Sequence, residues 1–411
     1  MKKMTFLFFL FVGFGLNSSF AGGYQVTLHG QKQTGMGLVG TSITFDAGCL
    51  FFNPGGLGFV KDKISVSAGV SFIKSMVKFQ KQEPSVYEAE TDNPMGTPFY
   101  FYAAGKINDK LSVGLAVNTP YGNSLKWGND WAGKFLIEDI KLKAIFVQPT
   151  VSYKINNMLS FGAGLVYAFG DVNINKAIPV SGAGNTDGQV NISGKASSFG
   201  YNLGLLCKPT EKLQIGIDYR SKIDMNVKDG DVTMTVPSSL STNFPATNSV
   251  DATLPLPANL DFGASYQLND KVLVGFSVNY VLWSIYDSLI FDFKNNTSAL
   301  TDSHNPREYK NTIIYRIGGQ YEANEKFAFR AGAYYDPTPT NKDYFNPETP
   351  SLNNIGLTCG FSYKPVKKLS VDVSFLYVIG NEREAYYTPD NFGGKFKSRF
   401  YIPGFGLTYS L

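Results

Sequence analysis

Few residues in this 411-residue chain have the types and spacing that covalent or metal chemistry needs. His29 and His304 have no Ser or Cys motif beside them, so acyl transfer lacks a visible apparatus. Cys49, Cys207 and Cys359 make neither an even disulfide framework nor a metal-ligand spacing, and zinc needs more ligands than these scattered groups offer. The glycine-rich stretch near the amino terminus lacks the Gly-Lys-Ser/Thr ending of a phosphate loop and does not follow a strand. The sequence therefore predicts no enzyme, no cofactor and no bound metal. What remains is a set of isolated charges in apolar surroundings: Asp218, Arg220, Asp261, Arg316, Arg330 and Asp372. Such groups either pair with one another as a brace or hold a ligand; an arginine can grip a carboxylate through charge-assisted, bidentate hydrogen bonds.

The elements that carry these charges are strands. Charged residues make up only 17 % of the chain, aromatics 15 %, and glycine is abundant at 42. From residue 61 onward, segments of about ten residues alternate apolar with small or polar side chains. Ile64, Val66, Ala68, Val70 and Phe72 share one face while Ser65, Ser67, Gly69 and Ser71 share the other. Leu159–Tyr167, Phe327–Tyr334 and Phe405–Leu411 repeat the pattern. Gly, Ser, Thr and Asn dominate the second face, where a soluble sandwich would carry charge. Strands of about 9–11 residues with one apolar face fit a transmembrane barrel.

Short polar turns at residues 106–110, 154–157, 208–212, 269–271, 322–326 and 364–368 alternate with long polar stretches. The latter lie at about residues 75–97, 119–141, 171–195, 223–258, 284–308, 336–352 and 380–398. Six turns and seven loops connect 14 strands, an even number with both chain ends on the short-turn side. The expected fold is all-β: a 14-stranded antiparallel barrel over residues 61–411, of the kind found in the outer membrane of Gram-negative bacteria. Tyr153, Tyr266, Tyr321 and Tyr363 precede short turns; Tyr167, Phe169, Tyr280, Trp283, Tyr334, Tyr335 and Tyr377 lie toward the long loops. They read as two interfacial aromatic bands. Strand parity turns the six charges named above inward, because an ionised group facing lipid is costly.

Two segments lie outside this pattern. Residues 1–21 combine Lys2 and Lys3, an apolar run and Ser19-Phe20-Ala21, which predicts an export leader cleaved after Ala21. Residues 22–60 are glycine-rich without sustained alternation, and a barrel this wide has room for them as a lumenal plug. A net charge of +4 without a basic face makes nucleic acid a poor partner.

Here the sequence resembles the outer-membrane long-chain fatty-acid and aromatic-hydrocarbon transporters of the FadL/TodX, OmpP1-like family. The resemblance rests on Gly23-Tyr24-Gln25, Thr34-Gly35-Met36-Gly37, Asp46-Ala47 and Asn53-Pro54-Gly55-Gly56-Leu57 in order. Further matches are Asn118-Thr119-Pro120-Tyr121-Gly122, Tyr219-Arg220-Ser221, Leu256-Pro257, Trp283-Ser284, and Arg330-Ala331-Gly332 followed by Tyr335-Asp336-Pro337-Thr338-Pro339. Gly55 stands where the family pattern has Ala, and Leu411 where it ends in Phe.

The resemblance implies a monomer in outer-membrane lipid that takes a hydrophobic small molecule from the outer loops to a lumenal pocket and out sideways near the third strand. It implies that Asn53, Pro54 and Gly55 form the hatch turn next to that exit, and that Asn118, Pro120 and Gly122 mark the exit region. Arg330, inside a matching motif, leads Arg316 and Lys176 as candidate for a ligand carboxylate. The family's basic residue near the fifth strand has no clear counterpart, so a neutral ligand stays open. Ile178, Val180, Leu240, Phe244 and Leu254 in the third and fourth long loops are candidates for ligand capture, or for packing the loops together. A general diffusion porin and a surface adhesin barrel are the alternatives.

Overall fold

The computed structural model describes residues 22–81, 86–180 and 187–411. The expected leader, residues 1–21, lies outside the described residues.

Among the described residues, a single antiparallel sheet closes on itself as fourteen barrel strands. Several strands bend and are interrupted partway. We number them β1 (Ile64–Ser71, continued by Lys74–Lys81), β2 (Tyr87–Glu90 and Phe99–Lys106), β3 (Leu111–Lys126), β4 (Asp139–Lys154) and β5 (Leu159–Ile178). Then follow β6 (Gly188–Cys207), β7 (Leu213–Arg220 and Ile223–Thr235), β8 (Thr247–Leu256 and Asn259–Asn269) and β9 (Val272–Val281 and Ser288–Phe293). The last are β10 (Ser303–Pro306 and Thr312–Glu322), β11 (Phe327–Asp336), β12 (Asn354–Val366), β13 (Leu369–Tyr387) and β14 (Phe392–Ser410). β1 pairs with β14, Ser65 opposite Ser410 through Ser71 opposite Gly404, which closes the ring and removes both sheet edges.

Period-two alternation sets the two faces. Phe161, Leu165, Phe199, Ile317, Leu357 and Phe405 point outward and are exposed, as a lipid-facing band must be. Ser65, Ser67, Ser152, Ser160, Asn202 and Ser374 point inward and are buried. The six charges placed inward by parity are there: Asp218, Arg220, Arg316, Arg330 and Asp372 are buried, and Asp261 bonds Arg316 and Asn279. Two residues assigned to the outer aromatic band lie inside. Trp283 is fully buried because a 3₁₀ turn, Trp283–Ile285, interrupts β9 and folds its ring inward. Tyr334 shares the inward parity of Arg330 and packs with Leu376 and Ile402.

The long loops are shorter than the polar stretches suggested. β5 runs on to Ile178, β6 starts at Gly188, and β7 reaches Thr235. Alternation continues there with apolar residues inside (Ile174, Val190, Ile192, Val232, Met234) and polar ones outside, so the wall extends beyond the lipid, where its outer face can be wet.

Residues 22–60 fill the lumen, nearly all of them buried. They form two short helices, α1 (Gln31–Gly35) and α2 (Cys49–Phe52), and a 3₁₀ turn, Pro54–Phe59. The inward glycines of the wall are where the segment's backbone comes closest. A Cβ on Gly332 would sit 2.3 Å from the Gly37 nitrogen, and one on Gly204 2.8 Å from the Pro54 nitrogen. Ion pairs and hydrogen bonds then fix the seat. Lys32 Nζ lies 2.6 Å from Asp46 and 3.6 Å from Asp372 of β13. Arg220 of β7 donates to the Phe51 carbonyl at 2.7 Å and stacks on its ring.

Candidate functional site

The wall has one break that the amino-terminal segment itself repairs. In β3, Asn118 pairs with Phe146 and Tyr121 with Ala144, so Thr119 and Pro120 together oppose Ile145. This is a β-bulge, and Pro120 has no N–H to give to a ladder, which suits it to such a position. Up to Asn118 the other edge of β3 pairs with β2. Beyond it, β2 is interrupted between Glu90 and Phe99. There the chain's own amino-terminal segment takes the place of β2. The Val26 N–H donates to the Pro120 carbonyl at 2.8 Å, the Gly122 N–H donates to the Tyr24 carbonyl at 3.1 Å, and Gln25 bridges to Tyr121.

A cavity of about 560 Å³ lies against this gap. Residues 22–28 line it together with Ile73, Pro94, Phe99, Thr119, Leu376 and Phe400. A second, smaller and mainly apolar cavity of about 80 Å³ is lined by Ile140, Leu142, Met225, Leu254, Leu256 and Phe291. Tyr24, Tyr121, Asn123, Leu142, Thr349 and the facing pair Lys143 and Asp171 line both. The Tyr24 hydroxyl donates to the Pro255 carbonyl, and its ring packs edge-on against Trp283 at 4.9 Å and Tyr286 at 5.8 Å.

Aromatic residues and one buried ion pair cover the outer end. Arg307 bonds Glu348 at 2.5 Å and the Tyr387 hydroxyl at 3.3 Å. Trp127 stacks on Trp131 at 4.3 Å and donates to the Pro347 carbonyl.

The residues singled out from sequence fall into separate places. Asn118, Pro120 and Gly122 are at the gap: Asn118 bonds the Tyr102 hydroxyl, and the other two carry the pairing just described. Asn53, Pro54 and Gly55 are not. Asn53 accepts from the Gly55 N–H at 3.0 Å and donates to the Thr41 and Leu205 carbonyls, which seats the turn against β5, β6 and β7. A Cβ on Gly55 would lie 2.8 Å from the Gly204 carbonyl oxygen, which explains glycine where the family pattern has alanine.

Arg330, Arg316 and Lys176 line neither cavity. Arg330 donates to Gln320 and Ser362 at 2.6 Å each; Arg316 pairs with Asp261 at 3.5 Å, and its buried Nε has no hydrogen-bond partner among the described residues. Arg330 also lies over the Phe45 ring of the plug, 5.4 Å from its centre. Ile178 and Val180 are buried, and Leu240, Phe244 and Leu254 pack against the same apolar cluster; of the five only Leu254 lines a cavity. Sequence reasoning missed Tyr24 and Tyr121 as lining groups. Tyr24 and Tyr121 each stood inside a motif noted for other reasons.

A family model described as outer membrane protein transport protein (OMPP1/FadL/TodX) matches residues 14–409. Outer membrane protein P1 of Haemophilus influenzae is 25 % identical over 68 % of this chain, which spans 65 % of that relative. The long-chain fatty acid transport protein of Escherichia coli is 24 % identical over 97 % of this chain and 94 % of its own. Among solved structures, a Pseudomonas aeruginosa FadL homologue superposes with a TM-score of 0.82 at 20 % identity, covering 95 % of this chain and all of that one. The Pseudomonas putida toluene transporter TodX gives 0.71 at 17 %, covering 95 % and 98 %. At these identities the solved structures share the fold.

Proposed function

The chain belongs to the OMPP1/FadL/TodX family of outer membrane transport proteins, and from that premise we propose that it takes up hydrophobic small molecules by a sideways route. The observation that carries this is the gap between β2 and β3, filled by residues 22–28 and backed by a cavity of about 560 Å³. A solute passes the apolar cavity beneath the outer loops, displaces the Tyr24 ring, and leaves through the gap into the hydrocarbon region. It never crosses the polar plug. The plug argues against a general diffusion porin, and the ligand-sized cavities argue against a purely adhesive barrel.

The reading makes the protein a monomer in outer-membrane lipid and a conduit rather than a catalyst. Long-chain fatty acids and aromatic hydrocarbons, the solutes named for its relatives, are the substrate classes we propose.

Deleting Pro120 tests the route. The deletion places Thr119 alone opposite Ile145, keeps Tyr121 inward and makes the β3 edge regular. Uptake of labelled oleate and of toluene by cells lacking their own transporter is expected to fall at least about tenfold, with barrel assembly intact by heat-modifiable gel mobility. Undiminished uptake of both would refute the sideways route.

A further inference from the structure

We propose that the short-turn end of the barrel holds a binding site for a phosphate group, formed where Lys61, Lys154 and Lys208 gather about the ring of Phe59. The inference goes beyond the transport reading and does not depend on which solute is carried or where it leaves.

Phe59 closes the 3₁₀ turn at the foot of the plug and is half-buried. Lys208 Nζ lies 4.5 Å from the centre of its ring and Lys154 Nζ 5.6 Å. An aromatic face attracts an ammonium; here one ring gathers two, from separate turns. Lys154 ends β4 and Lys208 follows β6. Both continue the inward parity of Ser152 and Leu206, which are buried, so they turn over the lumen mouth rather than toward lipid. Backbone bonds hold the turns in place: the Lys154 N–H donates to the Lys110 carbonyl and the Lys208 N–H to the Met158 carbonyl, at 2.7 Å each. The plug comes close at Gly58, where a Cβ would meet the Ser160 hydroxyl and lie 3.4 Å from Lys154 Cβ. Lys61, two residues past Phe59, is near enough to act on Lys208, and its carbonyl accepts from Lys106 Nζ at 2.8 Å.

No ion pair between described residues involves any of these four lysines. The ionisable groups facing Lys208 are Lys61, Lys154 and Cys49, none of them a carboxylate. Burial and the two neighbouring ammonium groups push Lys208 down from its ordinary 10.5 to about 8. Lysines at a wet turn ordinarily extend their heads into solvent, away from one another. These stay together over a ring, a cost that a bound anion offsets. A phosphate suits the site better than a carboxylate. It brings close to two negative charges and three or more acceptor oxygens, enough for one charge-assisted bond to each of three ammonium groups. Phe59 belongs to the plug, Lys154 and Lys208 to the wall, so the bound group also ties the plug's foot to two turns.

The test uses the mature barrel purified from the outer membrane. Acylation of Lys208 by an N-hydroxysuccinimide ester is followed by peptide mass spectrometry between pH 6 and 10.5, with Lys212, exposed before β7, as internal control. In detergent with chloride alone, half-maximal reaction is expected near pH 8. Inorganic phosphate at about 20 mM and matched ionic strength should raise that value by at least about one unit, slow labelling at pH 7.5 at least about fivefold, and leave Lys212 unchanged. In Lys154→Met the chloride value should rise, because one repelling charge is gone, and the phosphate shift should fall by at least about half. A second arm places the barrel in phosphatidylglycerol nanodiscs without free phosphate. Protection of Lys208 there assigns the site to a lipid headgroup, and protection by inorganic phosphate alone assigns it to a soluble phosphate. A Lys208 profile unmoved in both arms overturns the proposal, as does an equal shift at Lys212 or an undiminished shift in Lys154→Met. If Lys154→Met fails the gel-mobility check for folding, the wild-type arms decide alone.

Discussion

Lys32 is the group whose removal should most directly free the plug. Its ammonium lies 2.6 Å from Asp46 within the plug, 3.6 Å from Asp372 of the wall and 3.2 Å from Thr408. All three partners are buried. Lys32→Met keeps an unbranched apolar stem and removes the ammonium with its N–H donors. Two carboxylates are then left facing each other; Asp46 retains the Gly48 N–H at 2.8 Å, and Asp372 keeps the Ser362 and Ser370 hydroxyls. Removing one partner of a buried ion pair costs about 3–5 kcal/mol. At about 1.4 kcal/mol per factor of ten, the population with the plug undocked should rise roughly a hundred- to a few-thousand-fold. The barrel closes through β1 and β14 without the plug, so the change should appear as ion conduction rather than unfolding. Single-channel recording in planar bilayers at pH 7.5 reads the open probability. The double variant Lys32→Met/Asp46→Asn removes one orphaned charge and should recover at least about a factor of ten. Equal open probability in wild type and Lys32→Met, or no recovery in the double variant, would refute the bracing role.

Two further outcomes are expected from the plug. Gly55→Ala places a Cβ 2.8 Å from a wall carbonyl that only a backbone shift can relieve, so docking should weaken by about 1–3 kcal/mol, read as faster protease cleavage of residues 22–60 in the folded barrel. Burial lowers the His29 imidazole from its ordinary 6.5 to about 3 while its Nε2 bonds the Val26 carbonyl. A released plug would therefore bind a proton that the docked one refuses. The His29 contribution to docking is complete above about pH 6.5 and declines as pH falls toward 3. Open probability should accordingly climb between pH 7 and 4.5, and more gently in His29→Gln.

The strands and their facing were legible because period-two alternation is a local property, and the lipid leaves little choice about which face is apolar. The inward placement of Asp218, Arg220, Asp261, Arg316, Arg330 and Asp372 followed from that parity alone. The strand count survived because short turns and long polar stretches alternate along the chain. Loop lengths were overestimated for one physical reason. Above the bilayer a strand can be polar outside and still be a strand, as Asn173 and Asn175 are around buried Ile174.

What the sequence could not determine is where the plug touches the wall. The Asn53–Gly55 turn reads as a motif, yet whether it lies beside β3 or against β5, β6 and β7 depends on which wall glycines leave room, and that is a three-dimensional fit. Arg330 looks like a ligand group until Gln320 and Ser362 are seen to bond its guanidinium. The gap beside β3 arises where a bulge at Pro120, an interruption of β2 and the segment Gly22–Val26 meet, and those pieces are distant in the chain. A sequence fixes side-chain parity residue by residue, whereas contacts across a lumen depend on barrel closure, which no single segment encodes.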